Sequence, residues 1–125
     1  MTARAFKHCA PAVLLDAVGG DRIAFAALLR QYLGDAGATT TRWRATASMG
    51  DPARLAALCH ELRGSAVLLG AGILQGRLIA CEMPARAGAM PGAVLHIAVD
   101  SELAALAREL RRALEQFGQA DDVVA

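Results

Sequence analysis

The amino-acid sequence predicts an all-α protein, an antiparallel four-helix bundle with a short extra N-terminal helix. Three observations carry that expectation. Apolar residues recur at three-, four- and seven-residue steps over almost the whole stretch from Pro11 to Phe117. Nothing alternates with the period of a strand, and aromatic and β-branched residues are sparse. Alanine, the strongest helix former, supplies much of the apolar share, which is 55% of 125 residues. A chain of this size holds one core. The expected organisation is an N-terminal tail over 1–10, a helical bundle over 11–118 and a flexible C-terminal tail over 119–125.

The elements follow from local signals. A first helix is expected from Pro11 to Val18, stopped by Gly19-Gly20. Asp21 caps the second, whose buried stripe is Phe25, Leu29, Tyr32, Ala36 and Trp43. Gly34 and Gly37 would kink this helix or split it, and Met49-Gly50 closes it. Asp51-Pro52 restarts the chain as helix, with a capping carboxylate before a proline at the first helical position. The third helix runs to about Leu69, where Gly70 suits a C-terminal cap. A fourth is expected from Gly72 to Ala87, before the turn marked by Gly88, Pro91 and Gly92. The last helix begins near Ala93 or after Asp100-Ser101 and reaches Phe117. Its seam is Val99, Leu103, Leu106, Leu110, Ala113 and Phe117.

Composition excludes several classes. A formal charge of +1, with arginines spread along the chain, leaves no electrostatic footprint for nucleic acid. The longest apolar run, Ala66 to Leu74, is short and broken by Gly70 and Gly72, so no membrane contact is expected. The first residues lack the apolar stretch of a signal peptide, and the expected location is cytoplasmic. Cys9, Cys59 and Cys81 are an odd count at unrelated spacings, which reads as reduced packing residues and not as a disulfide frame or metal site.

The third helix carries the functional signal. At roughly 100° per residue, Leu55, Leu58, Cys59, Leu62, Ala66 and Leu69 share one arc, and His60 falls nearly opposite its middle. His60 is therefore expected to face solvent. Its neighbours on that face are Ala57, Gly64, Val67 and Ala71, small and apolar where a solvent face is ordinarily charged. Such a surface suits docking of another protein. Gly64 costs about 1 kcal/mol relative to alanine inside a helix, and it leaves bare backbone one turn from the histidine. Arg63, three residues on, lies within reach on the helix surface and offers charge-assisted bonds to anionic oxygens. An exposed imidazole is nucleophilic near neutral pH. Phosphoryl transfer mainly requires in-line positioning and charge stabilisation.

The run His60-Glu61-Leu62-Arg63-Gly64-Ser65-Ala66, followed by Leu69-Gly70-Ala71, resembles the signature of the histidine phosphotransfer (HPt) domain family, His-x-Leu-Lys-Gly-Ser/Ala with a downstream Gly-Ala. Gly20-Asp21, Gly50-Asp51 and the stretch Leu78 to Glu82 also sit where such domains have similar residues. The likeness spans roughly Pro11 to Phe117. It implies that His60 is the phosphorylated side chain and that Arg63, where the family usually has lysine, neutralises the phosphoryl oxygens. Gly64 would give room to the docking partner, and Ser65 would support by bonding back to a helix carbonyl. Arginine for lysine keeps the charge and changes its shape.

The implied partners are receiver domains of response regulators and a sensor histidine kinase, the latter in the same parent chain or a separate one. The implied step is a shuttle: His60 takes phosphate from a receiver aspartate and a second receiver takes it back. No acidic cluster surrounds the motif, so no metal is expected on this chain and Mg²⁺ is expected on the receiver. No nucleotide-binding loop is present in the sequence, which makes the chain a phosphocarrier and not an autonomous kinase.

Blander readings apply elsewhere. His8 and His96 lack the company that His60 has. Cys59 and His60 diverge as adjacent helical positions and cannot easily share a metal. Arg108, Arg111 and Arg112 read as a solvated face, and Arg42 and Arg44 are unplaced by the sequence. The rival function is a binding module that regulates a partner by docking alone, without phosphate transfer.

Overall fold

The computed structural model describes residues 6–124, with side chains described over 6–117. It is all-α. The helices are α1 (Pro11–Ala17), α2 (Arg22–Ser48), α3 (Pro52–Leu68), α4 (Gly72–Arg86) and α5 (Ala93–Val124). Helix α3 packs mainly on α4, α2 on α5, and α5 also on α4. One apolar core joins them, and its largest fully buried side chains include Trp43, Phe25, Leu29, Leu55, Leu74, Leu78, Leu106 and Leu110. No described helix is long and apolar enough to cross a membrane.

Caps set the helix starts. Asp21 accepts from the backbone N–H groups of Ile23 and Ala24, and Asp51 accepts from that of Arg54. Helix α2 runs unbroken through Gly34 and Gly37, and α5 begins at Ala93, the earlier of its two expected starts. A lone glycine costs only about 1 kcal/mol in a helix. The burial of Phe25 and Leu29 before the glycines and Trp43 after them holds α2 as one element. The flexible tail expected over 119–125 has no described side chains.

The segment before α1 is tied down. Phe6 and Cys9 are buried, and the Phe6 ring lies 6.2 Å from that of Phe117. Glu109 of α5 accepts from the backbone N–H groups of His8 (2.7 Å) and Cys9 (3.0 Å), and Ala10 N–H donates to the Leu69 carbonyl at 2.9 Å. His8 Nδ1 lies 2.6 Å from Glu102, which also meets Arg77 at 3.3 Å. The remainder of the N-terminal tail expected over 1–10, residues 1–5, lies outside the described residues. The three cysteines are free and buried. Burial pushes the thiols of Cys9 and Cys59 up to about 12 and that of Cys81 up to about 11, so they remain protonated packing groups.

The turn between α3 and α4 decides the shape of the surface beside His60. Gly70 has φ of 62°, Ala71 N–H reaches back to the Ala66 carbonyl at 2.9 Å and Gly70 N–H to that of Val67 at 3.1 Å. This is a Schellman turn. Gly88 repeats it after α4, with φ of 87°. The two turns differ in their surroundings. A Cβ on Gly70 would lie 2.6 Å from Cβ of Ala10, whereas a Cβ on Gly88 would meet nothing within 4 Å. Gly88→Ala is expected to cost roughly 1–2 kcal/mol, the left-handed penalty alone. Gly70→Ala is expected to cost more, because it also pushes the N-terminal segment off Leu69. Urea denaturation of the two variants should rank them in that order.

Candidate functional site

Helix α3 turns its apolar stripe inward. Leu55, Leu58, Cys59, Ala66 and Leu69 are buried, and Leu62 packs against them half-buried. The opposite face is open. The His60 side chain is 69% exposed. Ala57, Gly64 and Ser65 are exposed, and Val67 is 57% exposed with Leu68 beside it. A Cβ on Gly64 would meet nothing within 4 Å, so the helix has bare backbone one turn beyond the imidazole.

Two expectations need correction. Ala71 was expected on the docking face, but it is fully buried at the N-cap of α4. Extrapolating the helical wheel past Leu69 fails because the Schellman turn folds residue 71 back onto Ala66, which is equally buried. Ser65 makes no bond to a helix carbonyl among the described residues, although Thr41 and Ser48 make bonds of that kind at 3.0 and 2.9 Å. Ser65 is exposed and lines a groove of about 210 Å³ with Leu28, Tyr32, Asp35 and Leu68.

Arg63 lies next to His60 as expected, and its guanidinium has a partner that the sequence reading did not single out. Its Nη1 donates to Oε1 of Glu82 on α4 at 2.7 Å. Arg86 donates through Nε to Oε2 of the same carboxylate at 2.6 Å. The Glu82 side chain is only 3% exposed, and its Oε2 lies 3.9 Å from Nδ1 of His60. Helix α4 puts it there because Glu82 follows Leu78 by four residues on the stripe that faces α3 and α5. A carboxylate on an otherwise apolar stripe of Leu74, Leu78, Cys81 and Ala85 is the signal that could have found it, since a buried charge requires a partner.

The electrostatics follow from these contacts. Burial alone would push the Glu82 carboxyl up, but the hydrogen bonds and charges of Arg63 and Arg86 overcome it and hold the group below the usual carboxylate range. Arg63 meets the carboxylate through Nη1 alone and Arg86 through both Nε and Nη2, which leaves Arg63 the larger share of free N–H groups for a further anionic acceptor. A second ion pair joins Arg42 of α2 to Glu61, the residue after His60. Both its members are exposed, so it contributes little to stability. Arg44 is bound to Asp100 of α5, on another part of the surface. His8 and His96 are not brought to His60: His8 pairs with Glu102, and the His96 carbonyl accepts from Trp43 Nε1 at 3.1 Å. Among the described residues no three His, Cys, Asp or Glu side chains come together as a metal site.

A carboxylate depressed by folding contributes stability that is fully present above its unfolded value, here 4.5, and is lost as the pH falls through the folded value. Stability should therefore decline below about pH 4.5 with a slope that Glu82→Gln reduces. At neutral pH the same variant should lose roughly 1–3 kcal/mol, less than a fully buried pair would, because both guanidiniums reach solvent. Chemical denaturation between pH 3 and 7 (~4 units) measures both effects.

No protein-family model, no curated protein and no solved structure matches the chain, so what this site does has to be read from its own residues.

Proposed function

We propose that this chain is a histidine phosphotransfer protein or domain, an antiparallel four-helix bundle formed by α2–α5, whose His60 accepts a phosphoryl group from the aspartate of a receiver domain and passes it to another receiver. The observation that carries the reading is an exposed imidazole with a guanidinium three residues away and bare helix backbone one turn on. Nucleophile, counter-charge and approach room are what transfer between two proteins requires. The chain is a carrier and not an enzyme. The receiver supplies Mg²⁺, and the sensor kinase that feeds the relay and the receivers are cytoplasmic proteins.

In this reading the receiver seats on the small residues around His60. Ala57 and Gly64 let its surface approach, and Val67 and Leu68 give it apolar contact. Nε2 of His60 meets phosphorus in line with the bond to the receiver aspartate. Arg63, held by Glu82 at one edge, turns its remaining donors toward the phosphoryl oxygens.

The second reading, docking without phosphate transfer, draws on the exposed Met83 and Ile79 of α4 and Val67 and Leu68 of α3. His60→Gln separates the two. The side chain is exposed, so the fold should stay within about 0.5 kcal/mol of the parent. Phosphate uptake from a phosphorylated receiver should vanish, read as loss of acid-labile label on the chain. A regulatory effect that persists unchanged in this variant would instead establish the adaptor.

Gly64→Gln tests the approach room. Open space around Gly64 means that folding stability should be unchanged or higher by up to about 1 kcal/mol. Uptake from the receiver should nevertheless slow by roughly tenfold or more, the equivalent of about 1.4 kcal/mol of lost docking.

A further inference from the structure

The ion pairs of this protein are unevenly placed. Arg42, Arg44, Arg54, Arg63, Arg77 and Arg86 each have a carboxylate partner. Arg22, Arg30, Arg108, Arg111 and Arg112 have none among the described residues. Arg22 and Arg30 stand apart on α2, whereas the last three fall within little more than one turn of α5 and all are exposed.

The segment before α1 adds to this cluster. Glu109 accepts from the backbone N–H groups of His8 and Cys9, which lays Lys7 and His8 against the same turn of α5. Lys7 is exposed and has no ion pair among the described residues. The Arg112 guanidinium lies 4.9 Å from the centre of the Phe6 ring. An aromatic face holds a cation in place without cancelling its charge. Between these groups is a depression of about 290 Å³, lined by His8, Ala105, Arg108, Glu109 and Arg112.

Two carboxylates stand near, Glu109 and Glu115. Burial alone would push the Glu109 carboxyl up, but the backbone N–H groups hold it below the usual carboxylate range, so it remains an anion whose oxygens are already bonded. Glu115 is exposed one turn after Arg111 and makes no ion pair among the described residues. Lys7, Arg108, Arg111 and Arg112 together outnumber these two, on a chain whose overall charge is only +1.

The form of the cluster selects among anions. Phosphate sites are commonly built on free backbone N–H groups at a helix start or a turn. Here the N–H groups of His8 and Cys9 are taken by Glu109. Stacking of nucleic-acid bases requires accessible aromatic rings, and Phe6 is buried. What remains is a set of guanidinium forks, whose shape matches carboxylates through paired hydrogen bonds.

We propose that the face made by Arg108, Arg111 and Arg112 with Lys7 is a docking site for an acidic segment of a partner protein, a run of Asp and Glu side chains whose carboxylates enter the depression beside His8. Helix α5 packs on α2 and α4, so this face is turned away from the α3 surface that carries His60. A partner held here leaves the imidazole open. The site does not depend on phosphoryl transfer. Attraction between such a face and an acidic segment speeds encounter and weakens as salt rises.

The test adds end-blocked hexaglutamate to the full-length, ¹⁵N-labelled protein at about 0.15 M salt, where distant surface charges are screened. Backbone and arginine Nε–Hε signals are followed. Those of Lys7, His8, Arg108, Arg111 and Arg112 should shift and saturate, while those of Arg22, Arg30 and Arg63 stay in place. The double variant Arg108→Gln with Arg111→Gln removes two exposed charges that have no described partner, and Arg112 stays because it packs on Phe6. Its affinity for the peptide should fall roughly tenfold or more. His60→Gln should bind the peptide as the parent does, which separates this site from the relay.

No saturable shift, shifts spread alike over every arginine, or shifts centred on Arg63 and Arg86 overturn the proposal. So does a folded double variant with unchanged affinity. Inorganic phosphate or a short thymidine oligonucleotide that binds this face more tightly than the peptide overturns it in favour of that ligand. The parent's shift map decides the matter even if the double variant does not fold.

Discussion

Three glutamates lie on the inward faces of this protein, and a buried carboxylate is costly unless something answers its charge. Glu82 is answered by Arg63 and Arg86, which ties α3 to α4. Glu102 is answered by Arg77 of α4 and by His8, and Glu109 by backbone N–H groups of the segment before α1. Apolar packing is non-directional and would tolerate small slips of one helix against another. These pairings do not tolerate them, because removing one partner from a buried charge costs about 3–5 kcal/mol. The register between helices is thereby specified at the places where the carboxylates sit.

The consequence for the surface is that His60 stands on a fixed platform. Beneath it lie the apolar faces of α3 and α4, including the protonated thiols of Cys59 and Cys81. Beside it, the pairing of Arg63 with Glu82 holds a guanidinium that would otherwise sample many rotamers. The bare backbone at Gly64 adds access. A rigid base, a half-neutralised cation and an unobstructed approach are separate properties, and they meet at one exposed imidazole.

Much of this was legible from the residues alone, and for identifiable reasons. The exposure of His60 follows from counting 100° steps against the stripe of Leu55, Leu58, Cys59 and Ala66. The caps Asp21 and Asp51 and the stops at Gly19-Gly20, Gly50, Gly70 and Gly88 are local signals, decided within four residues of chain. Ala71 shows where such counting ends, since a helical wheel has no meaning once φ turns positive at Gly70. Glu82 shows a different limit. Its place on an apolar stripe was visible, and so was Arg86 one turn on, but Arg63 and His60 come from a helix about twenty residues earlier in the chain, and side-chain pairs across helices leave no trace in local pattern.

By itself the sequence determined what short-range physics controls: helical class, most element boundaries, the inward stripes, and a solitary histidine facing out with Arg63 and Gly64 nearby. Only the tertiary structure decided which charges meet. It brought Glu82 between Arg63 and Arg86 with Nδ1 of His60 at its edge, folded Phe6–Ala10 onto α5 and Leu69, and withdrew Ala71 from the surface. The physical reason is range. Periodicity and capping act through neighbouring residues, whereas a buried charge is answered by whatever side chain the packing of helices delivers to it.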